Sequence, residues 1–252
     1  TYTPDRQEES LSSLSYMRIN FPAGTEQRYC DIMGVTPKFY HQTIANIQSM
    51  VEMKRRDGLS LDLVLQMVCL PQDVDQVIPF VELGKSLGVD ACTIKHVADD
   101  EDGNLGMDYS RVESMVPVLK AAQALATPEY QVIVMLNKIL EGMRRTYQRC
   151  RGPQFMLQIS GTGLVAPCGD KFNDRYAKLH IGNIAEQRFV DIFHSERYWE
   201  VMDYLASGEF NAQKMCGPLC RQDMINRALE REVAQGNRIM PATQPGHNWN
   251  FI

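Results

Sequence analysis

Four cysteines constrain this sequence more tightly than any other feature. Cys150 and Cys168 stand apart, while Cys216 and Cys220 form a close pair around Gly217-Pro218-Leu219. Two separated cysteines and one pair are how a four-thiolate metal site is assembled from two chain segments, so the stretch between 150 and 220 has to fold back on itself. Gly152, Gly161, Gly163, Gly169 and Gly217 lie around these thiols, where the lack of a Cβ lets backbone amides come close to sulfur. The spacing admits zinc as readily as iron, because both accept four cysteines. The competing reading, small buried hydrophobes, fits Cys30, Cys69 and Cys92 better, since these sit in or beside apolar segments without partner spacing. Seven cysteines is an odd number, which argues against a disulfide framework and for thiols that are buried or bind metal.

The formal net charge of −5 and the pI near 5.6 set up no global basic field, so nothing draws the whole chain to nucleic acid or an anionic membrane. No apolar stretch reaches the roughly 18–20 residues of a spanning helix, and the first residues show no basic segment followed by an apolar run. A cytoplasmic protein is expected, with neither a nucleic-acid nor a membrane partner. Met50, Met53, Met115 and Met135 fall within apolar helix-like or strand-like patterns and read as core packing.

Up to about residue 125 the pattern alternates as a parallel α/β architecture does. A short helix is expected at Glu8–Leu14, a strand at Ser15–Phe21, and a helix at Lys38–Arg56 that stops at Asp57-Gly58. Leu61–Leu70 is a near-continuous apolar run, the pattern of a strand buried on both faces. A helix at Asp73–Leu87, a strand at Ala91–Val97 and a helix at Met107–Ala124 follow. Three strand-to-helix units in a row imply a parallel sheet or barrel, whose functional residues sit at the C-terminal ends of the strands. Beyond 125 the pattern changes. A strand at Tyr130–Leu136, a helix at Asn137–Gln148, and a hairpin of Phe155–Ile159 and Leu164–Pro167 about Ser160-Gly161-Thr162-Gly163 are expected, then a segment at Lys178–Ile184 and helices at Phe189–Leu205 and Arg221–Ala234.

The run Cys150…Gly163-Leu-Val-Ala-Pro-Cys168…Ile181-Gly-Asn-Ile184…Cys216-Gly-Pro-Leu-Cys220-Arg-Gln-Asp-Met-Ile-Asn226, with the phrase Ser195-Glu196-Arg197-Tyr198, resembles the C-terminal auxiliary-cluster module of radical S-adenosylmethionine (SAM) enzymes. The shorter twitch form, with one auxiliary cluster, is the nearer likeness; the larger SPASM form holds two. The preceding units resemble the second half of that family's partial barrel. The resemblance implies an α/β fold: a partial parallel (β/α) barrel of the radical SAM type over residues 1–125, a small α+β auxiliary-cluster domain over 126–234, and an extended tail over 235–252.

It also implies cofactors and roles. Cys150, Cys168, Cys216 and Cys220 would ligate every iron of an auxiliary [4Fe–4S] cluster. Asn20 takes the place of a small polar residue near the SAM ribose, Gln66 holds a similar place on the next strand, Lys95 and His96 follow on the third, and Val97 would lie against adenine. Each of these is equally what a strand presents where it meets solvent, and Arg18 serves as well in a salt bridge at the barrel mouth as in a substrate contact. The family's C-x-x-x-C-x-x-C loop, which binds the SAM cluster, does not occur in this sequence; Cys216–Cys220 has the first spacing, but Asp223 stands at the third position. The resemblance therefore implies the C-terminal two-thirds of a longer enzyme, in which SAM and a second [4Fe–4S] cluster are held by a preceding part. Such an enzyme would receive electrons from a flavodoxin or ferredoxin. It would dehydrogenate or epimerise a sugar-like or aminocyclitol-type small molecule through a 5′-deoxyadenosyl radical, or alternatively modify a peptide. A non-catalytic iron–sulfur protein for electron transfer or docking is the reading from another class.

The remaining motifs carry less. Asp99-Asp100-Glu101-Asp102 reads as a solvated acidic loop rather than a cation site, and His41, His180, His194 and His247 lack metal-like spacing. Lys54-Arg55-Arg56 and Arg144-Arg145 read as basic C-terminal helix turns that complement the macrodipole.

Overall fold

The computed structural model describes residues 4–97, 99, 102, 104, 106–136, 145–217 and 220–236. The chain forms two compact units, one of residues 1–97 and 108–140, the other of 98–107 and 141–252.

In the first unit, strands β1 (Tyr16–Asn20), β2 (Asp62–Cys69), β3 (Ala91–His96) and β4 (Gln131–Val134) form a fully parallel sheet in the order β1-β2-β3-β4. Helix α1 (Pro4–Ser10) precedes it; α2 (Glu26–Met33) and α3 (Pro37–Asp57) link β1 to β2, α4 (Val77–Leu87) links β2 to β3, and α5 (Val112–Gln123) links β3 to β4. Strand order follows chain order without reversal. Right-handed crossovers then put every helix on the same face, the arrangement of a barrel segment rather than of a doubly wound sheet.

Helix α3 shows how sequence dictates this packing. Pro37 occupies its first turn, Ile47, Met50 and Val51 fall on one buried stripe, and Gly58 ends it in the left-handed region at φ 61°. Its last turn is tied to the sheet: Lys54 pairs with Asp90, whose other oxygen accepts the Leu63 amide at 2.7 Å.

Strand parity divides the sheet. Met17 and Ile19, then Leu63, Leu65, Met67 and Cys69, then Cys92 and Ile94, then Val132 and Val134 join the core shared with the helices. The opposite parity carries a row in register, Asn20, Gln66, Thr93 and Ile133. Here the expectation of a β2 buried on both faces is corrected. Burial alternates along it, because Gln66 and Val68 belong to the face that the helices leave uncovered.

The connections that follow β1 and β2 are clamped together. Gln76 Oε1 accepts from the Thr25 amide at 3.2 Å and from its hydroxyl at 2.8 Å, and Arg28 Nε donates to the buried Asp73 carboxylate at 2.6 Å. A Cβ at Gly24 would lie 2.6 Å from Pro79 Cβ and against the backbone of Pro79 and Phe80. Gly24→Ala should therefore cost about 3 kcal/mol, the upper part of the overpacking range, because the obstacle is main chain. A fall in the urea midpoint measures it.

In the second unit a small antiparallel sheet of β5 (Gln158–Ile159), β6 (Leu164–Ala166) and β7 (Gly182–Asn183), ordered β5-β6-β7, packs with α6 (Phe189–Phe193), α7 (Glu196–Ala206), α8 (Ala212–Met215) and α9 (Asp223–Gln235). Its core includes Val165, Leu179, Ile192, Tyr198, Val201 and Leu205. The expected hairpin is present. Ser160 Oγ accepts from the Leu164 amide at 3.1 Å, and Gly163 turns at φ 86° where a Cβ would strike the Asn183 side chain.

Other elements differ from expectation for local reasons. The helix expected over Phe189–Leu205 breaks at Ser195, whose hydroxyl accepts the Tyr198 amide at 3.1 Å and so starts a new helix. The helix expected from Asp73 begins as a 3-10 segment over Pro71–Gln76, with Asp73 out of helical dihedrals at φ −108°, ψ 16°. Within Lys178–Ile184 only Gly182–Asn183 is a strand. The strand expected at Tyr130–Leu136 pairs with β3, so the sheet of the first unit continues past the change of pattern at 125. Most of the helix expected at Asn137–Gln148, and the tail beyond residue 236, lie outside the described residues.

Candidate metal centre

Four short segments of the second unit carry the thiols. The Cys150 amide donates to Leu205 O at 2.9 Å, holding the segment against the end of α7. Cys168 follows β6, and its carbonyl accepts the Lys171 amide at 3.1 Å in the turn Gly169–Lys171. Cys216 follows α8, and Cys220 precedes α9, with its carbonyl accepting the Asp223 amide at 3.2 Å.

Two buried amides on the first turns of α9 organise the site. Gln222 Nε2 donates to Met156 O at 2.8 Å and to Pro167 O at 2.7 Å, so one side chain joins the 150s segment to the residue before Cys168. Its Oε1 accepts from the Cys150 thiol at 3.8 Å. Asn226, one turn on, accepts the amides of Arg151 at 2.7 Å and Gly152 at 2.9 Å through Oδ1, and donates to Cys150 Sγ at 3.4 Å through Nδ2. Gly152 allows this approach: a Cβ there would come 2.8 Å from Gln222 Oε1.

Charged groups of both signs face the other three thiols, with Asp170 near Cys168 and Cys216 and Asp223 near Cys220. Lys171 is 2% exposed; its Nζ donates to Met215 O at 3.1 Å and lies 3.9 Å above the Tyr176 ring. Arg145 donates to Cys216 O at 3.4 Å and also to Gly217 O. Among the described residues the buried Arg145 Nε has no hydrogen-bond partner, and the Tyr147 hydroxyl lies beside Cys220 and Asp223.

Burial pushes all four thiols up, Cys150 to about 12. Each also feels its neighbours: Cys216 and Cys220 raise both Cys150 and Cys168 further, Lys171 opposes the rise at Cys168 and Cys216, and Arg145 opposes it at Cys216 and Cys220. The four thiols thus share one neighbourhood. Yet among the described residues no three His, Cys, Asp or Glu side chains are grouped to hold a metal ion. Four thiols on four short segments of one unit, supported by buried amides, are a donor set that either a zinc ion or an iron–sulfur cluster accepts.

The strand-end residues proposed for SAM are partly brought together. Gln66 Nε2 donates to Asn20 Oδ1 at 2.7 Å across β1 and β2, and Gln66 Oε1 is buried without a hydrogen-bond partner among the described residues. Lys95 pairs in register with Val68, which puts it on the same face of the sheet, while His96 pairs with Cys69; Val97 follows, half-buried. Cys30, Cys69 and Cys92 lie in the helix-packed core, where burial pushes Cys69 and Cys92 up to about 12. None of them belongs to the uncovered face. The acidic loop is engaged rather than simply solvated: Asp99 accepts the Met107 amide at 3.1 Å and Asp102 pairs with Arg175 at 2.8 Å, while Asp100 and Glu101 lie outside the described residues.

Sequence reasoning singled out the four cysteines but not the residues that support their segments. Gln222 and Asn226 stood in the quoted motif without a role, and their i, i+4 spacing beside Cys220 was the available signal. Arg145 passed for a helix-end cation.

Residues 150–222 match the family model described as SPASM, an iron–sulfur cluster-binding domain. The sequence has no significant match among curated proteins. Among solved structures, SuiB of Streptococcus suis bound to S-adenosylmethionine aligns with a TM-score of 0.55 at 13% identity, over 86% of this chain and 53% of that one. SuiB bound to the precursor peptide SuiA gives 0.53 at 13% identity, over 90% and 54%. Native anSMEcpe with bound AdoMet and the Cp18Cys peptide gives 0.51 at 10% identity, over 92% and 71%. This chain therefore spans about half the length of SuiB. At these identities the likeness is one of fold: a partial barrel of the radical SAM type with a SPASM-type iron–sulfur module.

Proposed function

We propose that this chain is the auxiliary-cluster-bearing part of a radical SAM enzyme that modifies a peptide. The observation that carries the reading is the four-thiol site, with its amide and cationic supports, inside the segment that matches an iron–sulfur domain. Cys150, Cys168, Cys216 and Cys220 hold one [4Fe–4S] cluster, the twitch arrangement, because the remaining cysteines are committed to the core of the other unit. When bound, the cluster would supply a one-electron donor or acceptor, and SAM with a second cluster would supply the radical chemistry. The chain's own residues bind and orient: Gln222 and Asn226 hold the Cys150 segment, and Asn20, Gln66 and Lys95, on the uncovered sheet face, meet SAM, with His96 and Val97 at the end of the same strand. The orphaned Gln66 carbonyl suits a hydroxyl or amino donor of that ligand. Peptide is preferred to a sugar or aminocyclitol because peptide-bound relatives are among those sharing the fold.

The test is anaerobic reconstitution of the full-length protein with iron and sulfide. A brown protein with broad visible absorption is expected, forming 5′-deoxyadenosine with SAM, strong reductant and a peptide substrate. A colourless, zinc-loaded protein, or one that never cleaves SAM under these conditions, overturns the reading.

A further inference from the structure

The small sheet of the second unit has two edges, and they are finished differently. At β7 the Asn183 carbonyl accepts the amides of Glu186 and Gln187, both at 3.1 Å, and a Cβ at Gly182 would come 3.0 Å from Gln187 Nε2 and from Ile192. That edge is closed by its own chain. At β5 the ladder is one-sided. Gln158 and Ile159 stand opposite Ala166 and Val165, and the Ser160 amide donates to Leu164 O at 2.9 Å. Antiparallel alternation then turns the N–H and C=O of Ile159 away from β6, and those of Leu157, two residues back, in the same direction. Among the described residues no main-chain group outside the ladder bonds to either residue. The flanking apolar side chains are open as well, Phe155 at 65% and Ile159 at 46% exposure. An unpaired strand edge is a template for a further strand.

We propose that β5 is the docking edge for the peptide substrate, which lies along Leu157 and Ile159 as an added strand. The inference deepens the peptide reading above and rests on it. Strand addition takes affinity from main-chain hydrogen bonds, which every peptide can make, and selectivity from side chains that meet apolar neighbours such as Phe155 and Ile159. A second copy of the chain suits this edge less. Two outward-facing residues, Leu157 and Ile159, are few for an interface between folded proteins, which needs roughly 1,000 Å² to be stable, whereas an extended segment needs only the rungs. The edge is also continuous with the thiol site. Gln222 Nε2 ties Met156 O, beside Leu157, to Pro167 O, beside Cys168, and a Cβ at Gly169 would come 2.7 Å from Gln158 Oε1. A peptide held on β5 is therefore held next to the segment that carries Cys168.

The experiment measures retention of a pool of random octapeptides, acetylated and amidated, on the reconstituted full-length protein, with hydrogen exchange at the Ile159 amide as companion. The native protein is expected to retain the pool about tenfold better than the same pool N-methylated at every residue, the worth of a hydrogen bond or two, and its Ile159 amide to exchange more slowly with octapeptides present. Ile159→Pro removes the outward donor and spares the ladder to β6, in which the Ile159 amide takes no part. Its retention is expected to fall about tenfold. Equal retention by Ile159→Pro at native iron content overturns the inference, and so does equal retention of the N-methylated pool, which decides the matter if Ile159→Pro fails to fold. Dimers of the native protein that Ile159→Pro returns to monomers overturn it too, by assigning the edge to a second copy. A protein that takes up its cluster and cleaves SAM but keeps no octapeptide on β5 refutes this docking site alone; one that takes up no cluster refutes the reading beneath it.

Discussion

Gln222→Leu should empty the metal centre. The substitution keeps the side chain's bulk but removes both donors of Nε2, leaving the buried carbonyls of Met156 and Pro167 unpaired. Each orphaned carbonyl costs about 1–3 kcal/mol, so the second unit should lose on the order of 2–6 kcal/mol, a large part of the stability of a module this size. The loss falls on the ties that hold the 150s and 160s segments in place. The readout is iron per chain after reconstitution, expected to fall several-fold, with thermal unfolding as companion. Asn226→Leu would release the amides of Arg151 and Gly152 in the same way. Iron content unchanged in Gln222→Leu would show that the thiols hold themselves together.

The second large effect is expected in the first unit. Asp73 is 2% exposed and meets Arg28 through Nε at 2.6 Å. Arg28→Met strands the carboxylate. Breaking a buried pair from one side costs about 3–5 kcal/mol, and because Arg28 is 36% exposed the low end, about 3 kcal/mol, applies. Removing the charge from both sides, Arg28→Met with Asp73→Asn, should recover most of the loss, since the penalty is that of an uncompensated charge rather than of a missing contact. A double-mutant cycle on urea midpoints checks this. Equal costs for the single and double variants would mean the pair does nothing beyond packing.

Much of this architecture was legible because its signals are local. Alternation of strand and helix patterns up to residue 125 predicted a parallel sheet, and β1, β2 and β3 stand within a few residues of the expected ranges. Cys150, Cys168, Cys216 and Cys220 could be grouped because glycines and a hairpin separate them, whereas Cys30, Cys69 and Cys92 sit among apolar neighbours and are in the core. What was not legible depends on distant partners. Lys171 reads as a surface residue in any sequence; only the fold shows its ammonium buried beside Met215 and Tyr176. The face of β2 was misread because an apolar run cannot tell a strand covered on both sides from one whose Val64 and Val68 line an uncovered side. The break at Ser195 was missed for a different reason: the apolar stripe continues across it, and a single capping hydroxyl ends the helix.

The parity of the sheet has a practical consequence for anyone altering this protein. Along β1 to β4, alternate residues answer to different demands: one set fixes the core with the helices, the other is free of that duty. A combinatorial library confined to Arg18, Asn20, Val64, Gln66 and Ile133 varies the side that the helices leave bare while sparing the helix-packed core; Thr93, only 7% exposed, stays out of it. Shifting each position by a single residue would turn the same library into one of unfolded chains.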